Sequence, residues 1–320
     1  MKGTISVCIP AYRGRFLEAS IESVLAQTRP VDEIIVVDDY SPDDLEKIVS
    51  KVIKFGVKYV RNPKNVGVPE NYNLALSMAQ SDYVMIFGDH DVMLETYIER
   101  CAGLLDADPE VVFVFSAVDA IDESGNIMQR YKRDLFPTIF LGERMAQWIV
   151  TRTASAVNLD TLIRRSALDG LEPWFDPKYW WYADIHLWLR LASKGKVGYV
   201  AESVLQRRRR EKEHYLNNKE WQSALVCDRI RRDAWSLAYP YNGLASLWGK
   251  LIYATRRDRD GLILVLSKLA DGGENADVLP EEALSFFSPV GRLIAPLMAN
   301  LPHNFACGLR RVHRRIRSLL

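Results

Sequence analysis

Short apolar runs alternate with segments of helical periodicity over the first 120 residues of the chain. Between the first two runs, Leu17, Ile21, Val24 and Leu25 recur at the spacing of a helix that covers one face of a sheet. Strands that alternate with covering helices are typical of a mostly parallel sheet. We therefore predict an α/β fold whose early strands are residues 5–9, 33–37, 57–60, 83–87 and 111–115.

The loops that follow these strands are the candidate binding segments. In open sheets of this kind, ligands bind beyond the carboxyl ends of the strands. In this chain those positions are residues 10–13, 38–41, 61–67 and 89–91. We therefore expect one ligand site to be built from these four loops.

The charge of the chain argues against nucleic acid as a partner. The 42 Lys and Arg residues nearly balance the 41 Asp and Glu residues, for a net charge of +1. A dedicated nucleic-acid binder needs concentrated positive charge. Residues 1–125 hold 21 acidic and 11 basic residues, a net charge of −10, whereas residues 126–320 hold 20 acidic and 31 basic residues, a net charge of +11. The two parts are therefore expected to face different partners.

Cysteine use and hydropathy favour a cytoplasmic protein. The cysteines form no CxxC pair, which favours a reducing compartment over a disulfide framework or a zinc site. The N-terminal segment lacks the apolar stretch and cleavage site of a signal peptide. No uninterrupted apolar stretch reaches the roughly 18 residues that a membrane span needs.

Two pairs of acids follow predicted strands. Asp38 and Asp39 close the second run, where an Asp either binds a ligand or caps the next helix. Asp89 and Asp91 follow the fourth run with His90 between them. Two carboxylates one residue apart project to the same side of an extended segment and can hold one hard divalent cation, with His90 pointing the other way. The alternative for this pair is a solvated acidic turn.

A third acid, Asp184, begins a predicted helix over residues 185–193 and lies on its apolar face. It either caps that helix or acts as a general base whose proton affinity is raised by desolvation. Trp180 and Trp181 precede it, either as a surface for a sugar ring or as part of the core.

The chain changes character near residues 210–220, after which the pattern is almost wholly helical. Its last segment, 309–320, carries five arginines and no acid, opposite Leu309, Val312, Ile316, Leu319 and Leu320. This pattern is typical of a helix on an anionic membrane surface, and a solvated terminal helix is the alternative. We predict a domain over residues 1–215, with halves 1–120 and 121–215, and a helical region over residues 216–320.

These segments together resemble family 2 glycosyltransferases. The resemblance is carried by ISVCIPAY at 5–12, IESVLAQT at 21–28, EIIVVDDYS at 33–41, NVG at 65–67, NYN at 71–73 and GDHD at 88–91. It covers residues 3 to about 210. It implies the GT-A fold, a nucleotide-diphosphosugar transferase fold in which an α/β sheet that binds a nucleotide sugar is joined to an acceptor-binding half.

The resemblance also implies a donor site. By position, Pro10, Ala11 and Tyr12 border the nucleotide base, with Tyr12 available to stack on it. Asp39 accepts a hydrogen bond from a ring N–H of the base. Asp89 and Asp91 look like the D-x-D motif that holds Mg²⁺ or Mn²⁺ on the diphosphate, and His90 stands where relatives often carry Asp. The remaining residues of the implied nucleotide-sugar site are Asn65, Gly67 and Asn71.

The same resemblance implies an acceptor site. Asp184 is similar to the late acidic motif of the family, whose carboxylate takes the proton of the acceptor. Many members have two consecutive acids there, whereas this chain has Ala183 before Asp184, which leaves Asp184 as the sole candidate base. Trp180 and Trp181 are the implied acceptor-binding residues.

The implied reaction is a single in-line displacement that inverts the anomeric carbon. The implied donor is a UDP-, dTDP- or GDP-linked sugar. The basic second part of the chain and its amphipathic last segment favour, as the acceptor, a saccharide or lipid-linked saccharide of the bacterial envelope at the cytoplasmic face of the inner membrane. A sugar nucleotidyltransferase is the alternative, but it should carry a Gly-rich phosphate loop after the first strand, which Pro10–Gly14 is not. A catalytically silent nucleotide-sugar binder is a third possibility, and the presence of four acids together argues against it: Asp39, Asp89, Asp91 and Asp184.

Overall fold

The computed structural model describes residues 2–130, 135–151 and 159–209, together with residues 226, 229–234 and 237–238; the side chains of residues 150, 151, 180 and 181 lie outside this description. Its strands are β1 Ile5–Ala11, β2 Glu33–Asp38, β3 Val57–Arg61, β4 Tyr83–Ile86, β5 Val92–Met93, β6 Val111–Ile121, β7 Ile127–Arg130, β8 Ile139–Leu141, β9 Leu162–Arg164 and β10 Lys196–Arg208. Its helices are α1 Leu17–Leu25, α2 Leu45–Ser50, α3 Val68–Met78, α4 Tyr97–Ala107, α5 Gly142–Thr151 and α6 Ala183–Ala192.

These strands form a single mixed sheet in the order β3-β2-β1-β4-β9-β6-β10-β5, with β7 on β6 and β8 on β10. Strands β3, β2, β1 and β4 run parallel, as the alternation of strands and helices predicts. Strand β9 is inserted antiparallel between β4 and β6. The carboxyl ends of β1 to β4 therefore meet at one edge of the sheet, and β9 is the antiparallel strand next to β4.

The core lies where helix faces cover the first strands. Every residue of β1 is buried, which is expected of a central parallel strand covered on both faces. Leu17, Ile21 and Val24 of α1 are buried, as their helical spacing predicts. Burying one such side chain contributes roughly 1.5–3 kcal/mol, so this face fixes α1 against the sheet.

Strand β6 is longer than its sequence predicts. The apolar run ends at Phe115, but the strand continues to Ile121 and buries Ser116 and Asp119. Its later residues pair with β10 across irregularities in the register, with Ser116 opposite Val200 and Asp119 opposite Gln206. This long neighbouring strand holds the polar residues in the sheet. Hydropathy alone cannot show this pairing.

The chain divides into two units, Met1–Ala146 with Ala154–Glu213 and Gln147–Thr153 with His214–Leu320. The helical region predicted over residues 216–320 lies outside the described residues except for 226, 229–234 and 237–238, which are helical. The amphipathic segment 309–320 lies wholly outside them. No helix in the described part of the chain is long and apolar enough to cross a membrane.

Two Gly→Ala substitutions test the packing of α5 against α6. Gly142 begins α5, and an added Cβ would overlap the backbone carbonyl oxygen of Ala192 at the end of α6. Because backbone must move to make room, we expect Gly142→Ala to lower the free energy of unfolding by about 1–3 kcal/mol. Urea denaturation followed by circular dichroism measures the change.

The matched control is Gly103→Ala in the exposed face of α4. A Cβ at Gly103 meets nothing within 4 Å. Because alanine favours a helix interior over glycine by roughly 1 kcal/mol, this variant is expected to be more stable than the wild type. Equal effects of the two substitutions would contradict the described contact between α5 and α6.

Candidate active site

Asp38, the last residue of β2, is a structural residue of the site's edge. Its side chain is fully buried. One oxygen accepts the backbone N–H of Ser41 at 2.7 Å, and the other accepts the hydroxyl of Tyr59 at 2.6 Å and lies 3.3 Å from the guanidinium of Arg61. Asp38 therefore shapes the turn after β2 and has little capacity left for a ligand.

Asp39 holds the loop between β3 and α3 in place. Its Oδ1 accepts Asn62 Nδ2 at 2.9 Å and the backbone N–H of Val66 at 2.8 Å, and its Oδ2 accepts the backbone N–H of Gly67 at 2.9 Å. Asn65 donates to the Asp39 carbonyl at 3.1 Å. A carboxylate offers about four lone-pair positions, so one position of Asp39 is left for a base N–H.

Two further residues of the implied donor site stabilise this loop. Gly67 has φ of +90°, a backbone conformation that glycine adopts without a steric penalty, and it precedes α3. Asn71 is buried, donates to the Val37 carbonyl at 3.2 Å and accepts Asn62 Nδ2 at 3.0 Å. The Asn71 amide is therefore engaged with the protein, and it supports the site through Asn62.

The loop after β1 contacts the loop after β4 through Asp89. Pro10 and Ala11 are buried at the end of β1, whereas the side chain of Tyr12 is 42% exposed, with the guanidinium of Arg13 5.1 Å from its ring centroid. Asp89 Oδ2 accepts the backbone N–H of Tyr12 at 3.1 Å and that of Arg13 at 3.4 Å. The two loops implied for the base and for the diphosphate are thus joined.

Asp89 and Asp91 lie on a turn, not on the extended segment that the sequence suggests. The Asp91 N–H donates to the Gly88 carbonyl at 3.4 Å, and a Cβ at Gly88 would stand 2.7 Å from Asp91 Oδ2. The expectation that His90 points away is wrong: Nδ1 lies 2.7 Å from Asp89 Oδ1 and Nε2 lies 3.7 Å from Asp91 Oδ1. The turn places the imidazole between the two carboxylates.

The turn supplies carboxylate oxygens from Asp89 and Asp91, the donor type that hard divalent cations prefer. Asp91 Oδ1 accepts the backbone N–H of Arg208 at 2.8 Å, which orients the carboxylate and leaves Oδ2 for a ligand. No group of three or more His, Cys, Asp and Glu side chains that could hold a metal ion occurs in the described part of the chain. One or two carboxylates with phosphate oxygens and water are the usual ligands of Mg²⁺ at phosphate sites.

Asp160 is a member of the site that the sequence analysis missed. It is buried just before β9, and its Oδ1 accepts the backbone N–H of Gly88 at 2.9 Å. Its carbonyl accepts the hydroxyl of Tyr97 at 2.7 Å. Burial and then the negative charge of Asp91 raise the pKa of Asp160 to about 7. No motif precedes Asp160, and only the insertion of β9 beside β4 brings it to the turn.

Asp184 lies in the first turn of α6, directly after the turn Pro177–Tyr182 that holds Trp180 and Trp181. Its Oδ1 accepts the backbone N–H of Ile185 at 2.7 Å, and a negative charge stabilises a helix N-terminus. Burial raises the pKa of Asp184 to about 6, against the opposing effects of the Ile185 N–H and the Arg207 charge. The side chains of Trp180 and Trp181, the predicted acceptor-binding residues, lie outside the described residues.

Four carboxylates affect the pKa of Tyr72 in α3. The pKa of Tyr72 is raised by burial and then by the charges of Asp89, Asp184, Asp160 and Asp91. The phenol ring is held edge-on against Phe175, with ring centroids 5.1 Å apart. The negative charges of all four acids therefore act on the same phenol.

The raised pKa of Asp160 predicts a pH-dependent stability. Between its ordinary value of 3.8 and about 7, the folded state binds more protons at Asp160 than the unfolded state does, so Asp160 lowers stability as pH rises through this window. Asp160→Asn keeps an acceptor for Gly88 and removes the charge. We expect its melting temperature, relative to the wild type, to rise from pH 4 to pH 7 and then level off.

The control for the hydrogen bond is Asp160→Ala, which removes both the charge and the acceptor. Because the Gly88 N–H is then left unpaired, this variant is expected to be less stable than Asp160→Asn at every pH. Differential scanning calorimetry at closely spaced pH values gives both curves. A constant difference between wild type and Asp160→Asn across the window would contradict the raised pKa.

Several known proteins are similar to this chain in sequence or in fold. The family described as "Glycosyl transferase family 2" matches residues 6–171 of the 320 in the chain. The uncharacterized protein MT1568 of Mycobacterium tuberculosis is 27% identical over 223 residues, which cover 65% of this chain and 67% of that protein. TuaG of Bacillus subtilis, named a putative teichuronic acid biosynthesis glycosyltransferase, is 24% identical over 226 residues, which cover 70% of this chain and 85% of TuaG.

The fold is that of a solved structure of S. aureus TarS. Residues 1–349 of TarS in complex with UDP-GlcNAc superpose with a TM-score of 0.65 and 16% sequence identity, covering 98% of this chain and 92% of that one. This likeness confirms the GT-A fold that the sequence predicts, with its sheet and flanking helices. With the family match over more than half of its length, the chain belongs to glycosyl transferase family 2.

Proposed function

We propose that this glycosyltransferase moves a sugar, with inversion at the anomeric carbon, from a nucleoside-diphosphate sugar to a hydroxyl of a saccharide or lipid-linked saccharide. The observation that carries the proposal is that carboxylates join the loops at the carboxyl edge of the sheet: Asp89 accepts the backbone N–H of Tyr12, and Asp160 accepts that of Gly88. The UDP-GlcNAc complex of S. aureus TarS supports a nucleotide-sugar donor. The teichuronic acid role in the name of TuaG supports an envelope polysaccharide as the product.

The base of the donor is proposed to bind to the loops after β1, β2 and β3. Tyr12 presents an exposed ring on which a base stacks, and Asp39 keeps one lone-pair position for a base N–H. The backbone around Gly67 is fixed by that same carboxylate. The base is therefore bound by preorganised groups, which reduces the ordering cost of binding.

The diphosphate of the donor is proposed to bind at the turn after β4. Asp91, through Oδ2, and Asp89 would hold Mg²⁺ or Mn²⁺ at the diphosphate, because both carboxylates are oriented by backbone N–H groups. When bound, such a cation offsets the negative charge that grows on the leaving nucleoside diphosphate. Asp160 stabilises the turn by accepting a hydrogen bond from the Gly88 N–H.

Asp184 is proposed to remove the proton of the acceptor hydroxyl. A base must be deprotonated to act, and a pKa near 6 leaves Asp184 mostly ionised at neutral pH while it still accepts a proton readily. Asp184 then takes the proton of the acceptor hydroxyl as the oxygen attacks the anomeric carbon. Because one displacement suffices, no covalent intermediate on the protein is required.

The remaining parts of the proposal concern location and partners. We place the enzyme in the cytoplasm, with residues 309–320 as a peripheral contact to the anionic inner membrane, on the five arginines and the apolar face of that segment. The domain boundaries at residues 120 and 215 belong to the same proposal. Trp180 and Trp181 are proposed to contact the acceptor.

The first test concerns the metal. The wild type is expected to gain melting temperature with at least one of UDP, GDP and dTDP, and more strongly with Mn²⁺ present, because a ligand that binds only the folded state stabilises it. Asp91→Asn keeps the acceptor for Arg208 but loses the negative charge, so the Mn²⁺-dependent gain should disappear. A thermal-shift panel with and without Mn²⁺ measures both effects.

Asp44→Asn is the matched control for that panel. Asp44 is an exposed N-cap of α2 whose side chain accepts the backbone N–H of Lys47, and Asn caps a helix equally well. The substitution removes the same charge at a distance from the turn. Retention of the full Mn²⁺-dependent gain in Asp91→Asn would remove Asp91 from the metal site.

The second test concerns the base. We expect Asp184→Asn to lower turnover by roughly a hundredfold or more, the usual contribution of a positioned base, while donor affinity changes little. In the wild type, kcat/KM should fall below about pH 6, because protonation of Asp184 removes the base. Near-normal turnover in Asp184→Asn would exclude Asp184 from proton transfer.

Arg207 provides a directional check on the same residue. Its positive charge lowers the pKa of Asp184, so Arg207→Gln should move the acid limb of the pH profile to higher pH. Arg209→Gln is the control, because Arg209 donates to Gln129 on β7. A shift that is equal in both variants would show that the limb reports general surface charge.

A further inference from the structure

Tyr40 adopts a backbone conformation that its side chain disfavours. Its φ is +55°, and it is the only residue other than glycine with positive φ among the described residues. This left-handed region is uncommon for residues other than glycine, asparagine and aspartate, and an aromatic residue there is strained. A turn of this shape therefore favours glycine or asparagine at position 40, and the tyrosine needs another explanation.

Packing within the protein does not supply that explanation. The Tyr40 side chain is 53% exposed, so its ring is not part of the core. The ring lies against Arg61, whose guanidinium is 5.1 Å from the ring centroid. That guanidinium is itself anchored to Asp38 and to the Ser41 carbonyl, which accepts at 3.0 Å. The protein thus orients an exposed ring instead of burying it.

The ring stands beside the proposed base site. Tyr40 directly follows Asp39, whose N–H donates to the Ala11 carbonyl at 2.9 Å and continues the pairing of β2 with β1. Ser41 Oγ donates to the Tyr12 carbonyl at 2.8 Å, so the turns that carry the two exposed tyrosines are hydrogen-bonded to each other. Tyr40 and Tyr12 therefore lie at the same edge of the sheet.

We propose that Tyr40 is a nucleoside-contacting residue, whose exposed ring, oriented by Arg61, packs against the base and ribose of the donor. This inference rests on the proposed function and adds a residue to its donor site. Strained backbone persists where function requires a particular side chain, and an aromatic face stacks on any base. The ring is retained in an unfavourable conformation because the ligand needs it.

Phe55 is the matched comparison residue. It is 59% exposed, and Lys54 Nζ lies 5.1 Å from its ring centroid, so it is a second exposed ring paired with a cation. It lies in the turn before β3, at the amino ends of the parallel strands, and it has no positive φ. Exposed rings of this kind that lie away from the carboxyl edge should not affect nucleotide binding.

The test measures affinity and stability together. Tyr40→Gly and Tyr40→Asn remove the ring with residues suited to positive φ, Tyr40→Phe keeps the ring, and Phe55→Ala removes the comparison ring. Calorimetric titration with UDP, GDP and dTDP in Mn²⁺ gives affinities, and scanning calorimetry without ligand gives melting temperatures. We expect about tenfold weaker binding in the Gly and Asn variants, since base stacking commonly contributes that much. The Phe and Phe55→Ala variants should bind as the wild type does.

The ring-less variants should also melt no lower than the wild type, because the strain is relieved. Gly and Asn variants that bind within twofold of the wild type would overturn the assignment of Tyr40 and leave the proposed function standing. A melting temperature that falls together with affinity in both variants would give Tyr40 a folding role and overturn it as well. A wild type that binds none of the three nucleotides would refute the proposed function, and the inference with it.

Discussion

The site depends on carboxylates that accept hydrogen bonds from backbone N–H groups of neighbouring loops. Asp39 binds the start of α3, Asp89 binds the loop after β1, and Asp160 binds Gly88 at the turn after β4. Hydrogen bonds to a charged acceptor are about twice as strong as those between neutral groups. The acids at the strand ends are therefore part of the architecture as well as the proposed chemistry, since they join loops that the sheet only brings near one another.

The same arrangement concentrates negative charge at one edge. Burial raises the pKa values of Asp160 and Asp184 to about 7 and about 6, and Arg207 opposes both shifts. Like charges in a poorly solvated site favour proton uptake, and a bound divalent cation would reverse that tendency. The charge of this edge therefore suits the proposed binding of a cation together with an anionic nucleoside diphosphate.

The sequence predicts the parallel half of the fold well, because apolar runs and helical spacing are local signals. The buried face of Leu17 and Ile21 follows from them, and β1 to β4 begin where predicted and end within two residues of the predicted ends. Features that depend on distant pairing could not be read in this way. The burial of Asp119 depends on β10, and the role of Asp160 depends on the insertion of β9 between β4 and β6.

The local geometry within the motifs could not be predicted from the sequence either. The spacing of Asp89 and Asp91 suggests an extended segment. Gly88 instead permits a turn in which the Asp91 carboxylate lies close to the Gly88 backbone. His90 then lies between the two acids. The strain at Tyr40 is likewise a property of a backbone angle, which no hydropathy pattern encodes. Both features lie at the proposed ligand site, where local preference and observed geometry commonly disagree.

The central claim is that the carboxyl edge of the sheet binds a nucleoside diphosphate through a divalent cation. A crystal structure of the protein with UDP and Mn²⁺ tests it most directly, because anomalous scattering locates manganese independently of the other atoms. We expect an anomalous peak at the Asp91 carboxylate, in contact with the diphosphate, and the uracil between the loops that carry Tyr12 and Asp39. Manganese or uracil bound elsewhere on the chain, with this edge occupied only by solvent, would contradict it.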